Sequence, residues 1–124
     1  MKFKILPILL LAFSAIGNAD EKSGKREVLL DNSSVEVVRL TYPVGAESGM
    51  HTHKHPNRVV YFVKGGVLEL TPKDDQQPAK VIRVSDGKTI YLPATTHNVK
   101  NVGDTKIIIV ETEIKEIKEI KEIK

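Results

Sequence analysis

Short apolar segments separated by turn residues run through most of this 124-residue chain. Val and Ile are common in them, and apolar and polar residues alternate in several, which is typical of β-strands with one buried face. No segment before residue 111 has a helical period. We predict strands at 28–30, 35–41, 59–63, 67–71, 80–84, 89–92, 98–102 and 106–113. Many short strands with regular turns predict an all-β sandwich or barrel.

The same pattern predicts turns and a core. Gly65-Gly66 and Gly103-Asp104 each lie between two neighbouring strand candidates, so we expect a β-hairpin at both places. The alternating apolar positions predict the residues that fill the barrel. They are Val60, Phe62, Leu68, Leu70, Val81, Ile90, Leu92, Val99, Ile107 and Ile109.

The first 19 residues have the features of a secretory signal peptide. Lys2 and Lys4 precede an apolar run at 5–16, and Gly17-Asn18-Ala19 provides small residues for a cleavage site. The apolar run is shorter than the about 20 residues that span a membrane. We therefore expect a periplasmic or secreted protein with no stable membrane anchor after cleavage. An uncleaved N-terminal anchor is the alternative.

Cleavage would leave 105 residues (124 − 19), which suit one compact domain. We expect a flexible segment at 20–27, the domain at 28–113 and a tail at 114–124. Four copies of Glu-Ile-Lys begin at Glu113. A three-residue repeat spreads its isoleucines around a helix instead of along one face. We therefore expect a frayed helical or disordered tail.

Composition limits the partners and the metal chemistry. The net charge of +3 becomes +1 without the two leader lysines, because 17 basic residues then oppose 16 acidic ones. Basic and acidic residues alternate without a basic stripe, so nucleic-acid binding is disfavoured. The chain has no cysteine. A metal would therefore be held by imidazole and oxygen, which suits iron, zinc, manganese, nickel or copper.

All four histidines lie in two short segments. His51, His53 and His55 alternate in the first segment, and His97 follows Pro93 in the second. Residues i and i+2 of a strand share a face, roughly 6–7 Å apart, so two imidazoles can converge on one ion. An imidazole from a distant segment would supply a third ligand. The spacing therefore predicts a mononuclear metal site.

The histidines belong to two longer patterns, Gly45-x5-His51-x-His53-x11-Gly65 and Gly87-x5-Pro93-x3-His97-x3-Asn101. These patterns resemble the motifs G-x5-H-x-H-x3-4-E-x6-G and G-x5-P-x-G-x2-H-x3-N of the cupin superfamily, over about residues 43–113. The resemblance implies a double-stranded β-helix barrel with His51, His53 and His97 as metal ligands at its mouth. Gly45 and Gly87 would permit the tight turns before the ligand-bearing strands.

The resemblance fails at one expected ligand. The motif glutamate is replaced by Arg58, or by Asn57 in the shorter spacing. Arg58 could turn outward into a surface ion pair, or reach into the mouth and hold a substrate carboxylate or phosphate. The site could also have lost its metal and become a binding cavity. Three-histidine cupins without this glutamate exist in the superfamily, so its loss does not by itself abolish the metal.

Four further residues are candidates for the site. His55 continues the alternation and could be an extra ligand, as could Asn57, although Pro56 bends the chain and favours a surface position for His55. Tyr61 or Tyr91 could contact substrate or donate a proton if inward-facing.

Two main functions follow from these residues. The first is a metal-dependent enzyme, an oxygenase or an isomerase-like catalyst of a small anionic molecule. The alternative is a non-catalytic barrel that binds a small ligand or a metal. A third, weaker hypothesis is an interaction protein that uses the repeat tail. The resemblance also makes a homodimer an expectation.

Overall fold

A computed structural model describes residues 23–116, and nine strands make up most of this part of the chain. All eight predicted strands are present, and β3 is a short addition that contains the first histidine. The strands are β1 Lys25–Asp31, β2 Val35–Tyr42, β3 His51–Thr52, β4 Asn57–Lys64, β5 Gly66–Pro72, β6 Lys80–Val84, β7 Thr89–Pro93, β8 Thr96–Asn101 and β9 Ile107–Ile114. The described residues form no helix, and hence none that could span a membrane.

The strands form two antiparallel sheets that enclose one core. The first sheet has the order β1-β2-β9-β4-β7, and the second has the order β3-β8-β5-β6. A single cluster of buried apolar side chains joins the two sheets, with Phe62 and Ile109 from the first and Leu68 and Val99 from the second. This architecture is the predicted all-β double-stranded β-helix.

The two predicted hairpins are wrong. β4 pairs with β7 and β9, whereas β5, which follows Gly65, pairs with β6 and β8. β8 and β9 likewise belong to different sheets. In this fold the chain passes from one sheet to the other at these turns. A glycine-rich turn marks the change of direction but does not identify the partner strand.

Alternation along the strands predicts the core correctly except in β6. Eight of the ten predicted filling residues line the cavity described below, and a ninth, Ile107, is fully buried in the core cluster. Val81 is instead 59% exposed. Its neighbours Ile82 and Val84 face inward, because the inward positions of β6 are shifted by one residue.

The turn residues that frame the site behave as predicted. Gly45 and Gly87 have φ values of 81° and 83°, which side chains rarely adopt. Pro93 ends β7, where a ladder donor is not needed. The fully buried Asn101 donates from Nδ2 to the carbonyl oxygens of Tyr42 and Thr105, at 2.9 and 2.8 Å.

The strands extend beyond the predicted domain at both ends. β1 begins at Lys25, and β9 continues to Ile114, inside the first Glu-Ile-Lys copy. Lys115 then donates from Nζ to Asp31 Oδ1 and to the carbonyl oxygen of Asn32. The predicted signal peptide and the repeat tail from residue 117 onward lie outside the described residues.

Candidate metal centre

Three histidines converge at one end of the barrel. β3 and β8 pair in the register that places His51 opposite His97, and His53 follows β3 directly. His53 Nε2 lies 3.1 Å from His51 Nε2 and 3.1 Å from His97 Nε2. The three rings meet edge to face, with centroids 4.8–5.1 Å apart. The distant segments identified in the sequence therefore come together as predicted.

Hydrogen bonds at the other ring nitrogens orient two of these imidazoles. His51 Nδ1 donates to the carbonyl oxygen of Gly49 at 2.9 Å, with Ser48 Oγ 3.1 Å away. His53 Nδ1 donates to Glu113 Oε1 at 2.8 Å. Carbonyl and carboxylate oxygens only accept, so both Nδ1 atoms carry a proton. In a neutral ring, Nε2 then directs its lone pair at the centre of the cluster.

Two glutamates that were not predicted from the sequence lie behind His53. Glu113 and Glu111 are buried on β9, and Glu111 Oε1 lies 3.3 Å from His53 Nδ1. Ile107 and Ile109 face inward on β9, and the alternation continues at Glu111 and Glu113, two and four positions after Ile109. That continuation was visible in the sequence, but Glu113 was assigned to the low-complexity repeat.

Arg58 points into the barrel. Its side chain is only 3% exposed and lines the central cavity, so a surface ion pair is wrong. In the pairing of β4 with β9, Arg58 lies opposite Glu113. Arg58 Nε lies 4.0 Å from Glu111 Oε2. This distance is an ion-pair contact, too long for a hydrogen bond. Arg58 Nε and Nη1 are buried without a hydrogen-bond partner among the described residues.

Burial and these charges shift the pKa values of the histidines in opposite directions. Burial lowers the pKa of His97 to about 4, and the nearby His51 and Arg58 add to the effect. Burial alone would also lower the pKa of His53, but its hydrogen bonds to Glu111 and Glu113 outweigh burial and raise it. At neutral pH His97 is therefore an uncharged ligand donor, while His53 is the more basic ring.

The carboxylate between His53 and Arg58 stays ionised. Burial alone would raise the pKa of Glu111, but its hydrogen bond with His53 and the charge of Arg58 lower it. Burial also lowers the pKa of Arg58, and Glu111 and Glu113 oppose that shift. At this end of the barrel the Arg58 guanidinium contacts Glu111, and the His53 imidazole contacts both Glu111 and Glu113.

A cavity of about 470 Å³ extends from the histidines into the barrel. Loop residues of the β5–β6 and β7–β8 connections, including Gln77, Pro78 and Thr95, form its rim. Its volume lies within the range for small-ligand pockets. Its apolar lining consists of Leu40, Val60, Phe62, Leu68, Leu70, Ile82, Ile90, Leu92, Val99 and Ile109.

Tyr42 is the tyrosine that lines this cavity. It is 3% exposed, and it shares the cavity wall with His51, His53 and Glu111. Burial and the negative charge of Glu111 raise the pKa of Tyr42 to about 12. Its hydroxyl is therefore protonated throughout the ordinary pH range. Tyr42 was not predicted from the sequence, where Tyr61 and Tyr91 were the candidates.

The other four candidates lie outside the histidine cluster. Tyr61 and Tyr91 are 44% and 61% exposed, so the inward position considered for them is wrong. Strand alternation puts Tyr61 on the face opposite to Val60, and Tyr91 pairs with Val59 on that outer face. Asn57 lies on the opposite face of β4 from Arg58 and does not line the cavity.

His55 is close to a different set of ligands. Its Nε2 lies 3.9 Å from Glu113 Oε2, and it groups with Glu36 and Glu113 instead of with the other histidines. Pro56 follows it and turns the chain into β4. An extra ligand from His55 is thus absent from the three-histidine cluster.

The donor set fits a divalent metal. Ligand nitrogens about 2.0–2.1 Å from one ion, at angles of about 90–109°, are separated by about 2.8–3.4 Å. The two Nε2 separations of 3.1 Å fall in this range. With Nδ1 protonated in both His51 and His53, their two Nε2 lone pairs face each other at 3.1 Å and would repel in neutral rings unless a cation lay between them. Glu113 behind His53 supplies the carboxylate–histidine support that metal sites use.

Comparisons with known proteins agree with this fold and motif. Residues 38–113 match the family described as Cupin domain. The chain is 36% identical over 89 residues to the Beta-alanine degradation protein BauB of Pseudomonas aeruginosa, covering 71% of this chain and 90% of that protein.

Two solved structures extend the comparison. A cupin domain from Bordetella pertussis Tohama I gives a TM-score of 0.69 at 30% identity, over 76% of this chain and 95% of that one. An RmlC-like cupin family protein from Methanocaldococcus jannaschii gives 0.59 at 18% identity, over 76% and 82%. The second likeness concerns the fold alone.

Proposed function

This chain belongs to the cupin family, and we propose that it binds one divalent metal ion through His51, His53 and His97. The observation that carries this proposal is the convergence of three Nε2 atoms, with two of the rings held from behind. His51 and His53 each donate from Nδ1 to a fixed oxygen. Such contacts fix the tautomer and orientation of a ligand before the ion arrives.

We propose that the metal serves an enzyme acting on a small anionic molecule, as an oxygenase or an isomerase-like catalyst. A bound ion would polarise a substrate oxygen or activate dioxygen. Arg58 supports an anionic substrate, since a buried guanidinium favours a carboxylate. Tyr42 supplies a neutral hydroxyl that can donate to a substrate oxygen in the cavity. BauB is named for the degradation of β-alanine, which is itself a small carboxylic acid.

The second candidate function is a non-catalytic barrel that captures a small ligand or a metal. Arg58 favours this function, because a cation stands where a carboxylate ligand is expected. It would weaken the attraction of the site for a dication. Oxygen uptake and isomerase screens of the metal-loaded protein distinguish the two functions. Ligand binding without turnover would favour capture.

Metal content measured by mass spectrometry tests the metal site itself. Untagged protein should contain close to one equivalent of metal after loading with iron, zinc, manganese, nickel or copper and removal of the excess. The His97→Ala variant should lose it. His55→Ala is the matched control, because His55 is a neighbouring imidazole outside the cluster. Equal metal in the protein and in His97→Ala would overturn the proposal.

We also propose that the protein is exported and forms a homodimer. The leader pattern of the sequence supports export, and cell fractionation tests it.

The dimer proposal rests on β1, which is an edge strand. Its Val28, Leu29 and Leu30 are 54%, 46% and 50% exposed, which supports pairing through that edge. Light scattering coupled to gel filtration would distinguish a dimer from a monomer.

A further inference from the structure

Arg58 presents buried donors that no described residue satisfies. Its side chain is 3% exposed, and its Nε and Nη1 atoms have no hydrogen-bond partner among residues 23–116. Its ion-pair contact with Glu111 is too long for a hydrogen bond, and buried donors without a hydrogen-bond partner are costly. Arg58 also lines the cavity that contains His51 and His97. Its missing partner is therefore expected inside that cavity.

We propose that the cavity binds a monocarboxylic acid with an apolar body, and that Arg58 holds its carboxylate. The inference deepens the proposed function and rests on it, because the ligand would lie beside the three histidines. The paired N–H groups of a guanidinium match the two oxygens of a carboxylate. Lysine lacks this fork geometry and offers only a point charge.

The charges around Arg58 favour a carboxylate over a phosphate. Arg58 and Lys80 are the only Lys and Arg side chains in the described lining of the cavity. Together with Glu111 they leave a net charge of +1 (two cations and one carboxylate), which one ligand carboxylate would neutralise. A phosphate group, with close to two negative charges at neutral pH, would exceed it. A carboxylate carries one charge and would therefore meet less repulsion from Glu111, whose Oε2 lies 4.0 Å from Arg58 Nε.

The remaining wall selects an apolar body. Val60 and Phe62 follow Arg58 on the inward face of β4, and Leu68, Leu70 and Ile90 face them in the same cavity. A cavity of about 470 Å³ equals the volume of roughly fifteen liquid waters. A ligand of similar size would bury apolar atoms against this wall, and a small polar acid would leave much of it uncovered.

The probe for this proposal is 3-phenylpropanoate, measured by titration calorimetry with the full chain. Its amide has the same body without the charge, and β-alanine has a carboxylate without the apolar body. We expect binding of 3-phenylpropanoate to be at least tenfold tighter than binding of either compound. Arg58→Met should weaken it at least tenfold, and Arg58→Lys should restore only part of the loss. Arg83→Met is the control, since Arg83 is an exposed arginine of β6.

Each result decides the proposal. Equal binding of the acid and the amide, or unchanged binding by Arg58→Met, would overturn the role of Arg58. If β-alanine bound more tightly than 3-phenylpropanoate, the preference for an apolar body would be overturned. If 3-phenylpropanoate did not bind to the parent, both the role of Arg58 and the preference for an apolar body would be overturned. Melting curves check that the Arg58 variants fold.

Metal dependence separates this inference from the proposed function. The titrations are repeated with chelator-treated and metal-loaded protein, and the metal content of each sample is measured. Arg58-dependent binding without any metal uptake would contradict the metal site and retain the carboxylate site. Metal uptake without Arg58-dependent binding would contradict the carboxylate site and retain the metal site.

Discussion

The inward face of β9 changes character halfway along the strand. Ile107 and Ile109 are 0% and 4% exposed, and Glu111 and Glu113 are 6% and 7% exposed. β4 makes the same change in the opposite direction, from Arg58 to apolar side chains. We call Phe62, Ile107 and Ile109 the apolar half, and Arg58, Glu111 and Glu113 the charged half. The two halves are equally buried, so burial alone does not explain their difference.

The difference suggests a division of the interior between a part that stabilises the barrel and a part that serves the proposed binding site. Packed apolar side chains stabilise in proportion to the area they bury. Buried charges must recover their desolvation cost through partners, and they often only break even. In the charged half His53 engages both glutamates, but two donors of Arg58 have no partner among the described residues. We therefore expect this half to serve the proposed ligand and to contribute little to stability.

Truncation in the apolar half should have the largest effect on stability. Phe62→Ala should lower the free energy of unfolding by about 3–5 kcal/mol, because it removes a buried ring and leaves a cavity. Urea unfolding followed by circular dichroism measures it. Tyr61→Ala, the exposed neighbour on the other face of β4, should cost about 1 kcal/mol or less.

Metal stoichiometry sharpens this test. The fraction of Phe62→Ala that remains folded should bind metal like the parent, since Phe62 belongs to the apolar core cluster and is not one of the three proposed ligands. A folded Phe62→Ala protein without metal would show that the two halves are not separate.

Local patterns predicted the fold because alternation and turn residues are local properties. They placed all eight main strands and nearly all of the inward positions. They did not predict which strands pair, because pairing is decided by contacts between distant segments. Gly65-Gly66 therefore suggested a hairpin, whereas β4 and β5 belong to different sheets.

The site was predicted where the residue type is rare and missed where it is common. Four histidines in two segments left few arrangements, and the cupin motifs selected three of them. Glutamates are abundant, and Glu113 was assigned to a repeat that looked like a tail. The alternation that identified Val60 and Phe62 as inward also predicts an inward Arg58, two positions earlier. The sequence therefore contained the information needed to place Arg58 inside the barrel.

Alkaline pH should act on Tyr42, the one tyrosine in the core cluster of the described residues. Tyr42 pairs with Ile107, and burial raises its pKa from 10.0 to about 12. Its contribution to stability is complete below pH 10 and is lost as the pH rises toward 12, because the unfolded state then ionises first. The loss is at most about 2–3 kcal/mol.

The Tyr42→Phe variant isolates this contribution. Urea unfolding at pH 9 and pH 11.5 should show a smaller decrease for the variant than for the parent. Tyr91→Phe is the control, since Tyr91 is 61% exposed. An equal decrease in the parent and in Tyr42→Phe would mean that Tyr42 is solvated in the folded protein.

In the charged half, loss of one carboxylate should weaken the metal site without unfolding the barrel. Glu113→Gln removes the charge that orients His53, and such support typically contributes 10- to 100-fold, about 1.4–2.7 kcal/mol, to metal affinity. Zinc competition against a chelator of known affinity measures the change. Glu116→Gln alters the next copy of the same repeat, where the side chain is exposed, and should leave the affinity unchanged. Equal zinc affinities for Glu113→Gln and Glu116→Gln would show that Glu113 does not support the metal site.

The smallest effect on stability should come from Arg58 itself. Arg58→Met replaces a buried guanidinium, including two donors without partners among the described residues, by an apolar chain that can pack against Val60 and Leu92. We expect the free energy of unfolding of the chelated protein to change by about 1 kcal/mol or less, because Arg58 makes no hydrogen bond with Glu111 and Glu111 keeps its contact with His53. Urea unfolding beside Arg83→Met measures it. Breaking a buried ion pair costs about 3–5 kcal/mol. A loss of that size would show that Glu111 and Arg58 stabilise the fold together, so that the charged half would be structural as well as functional.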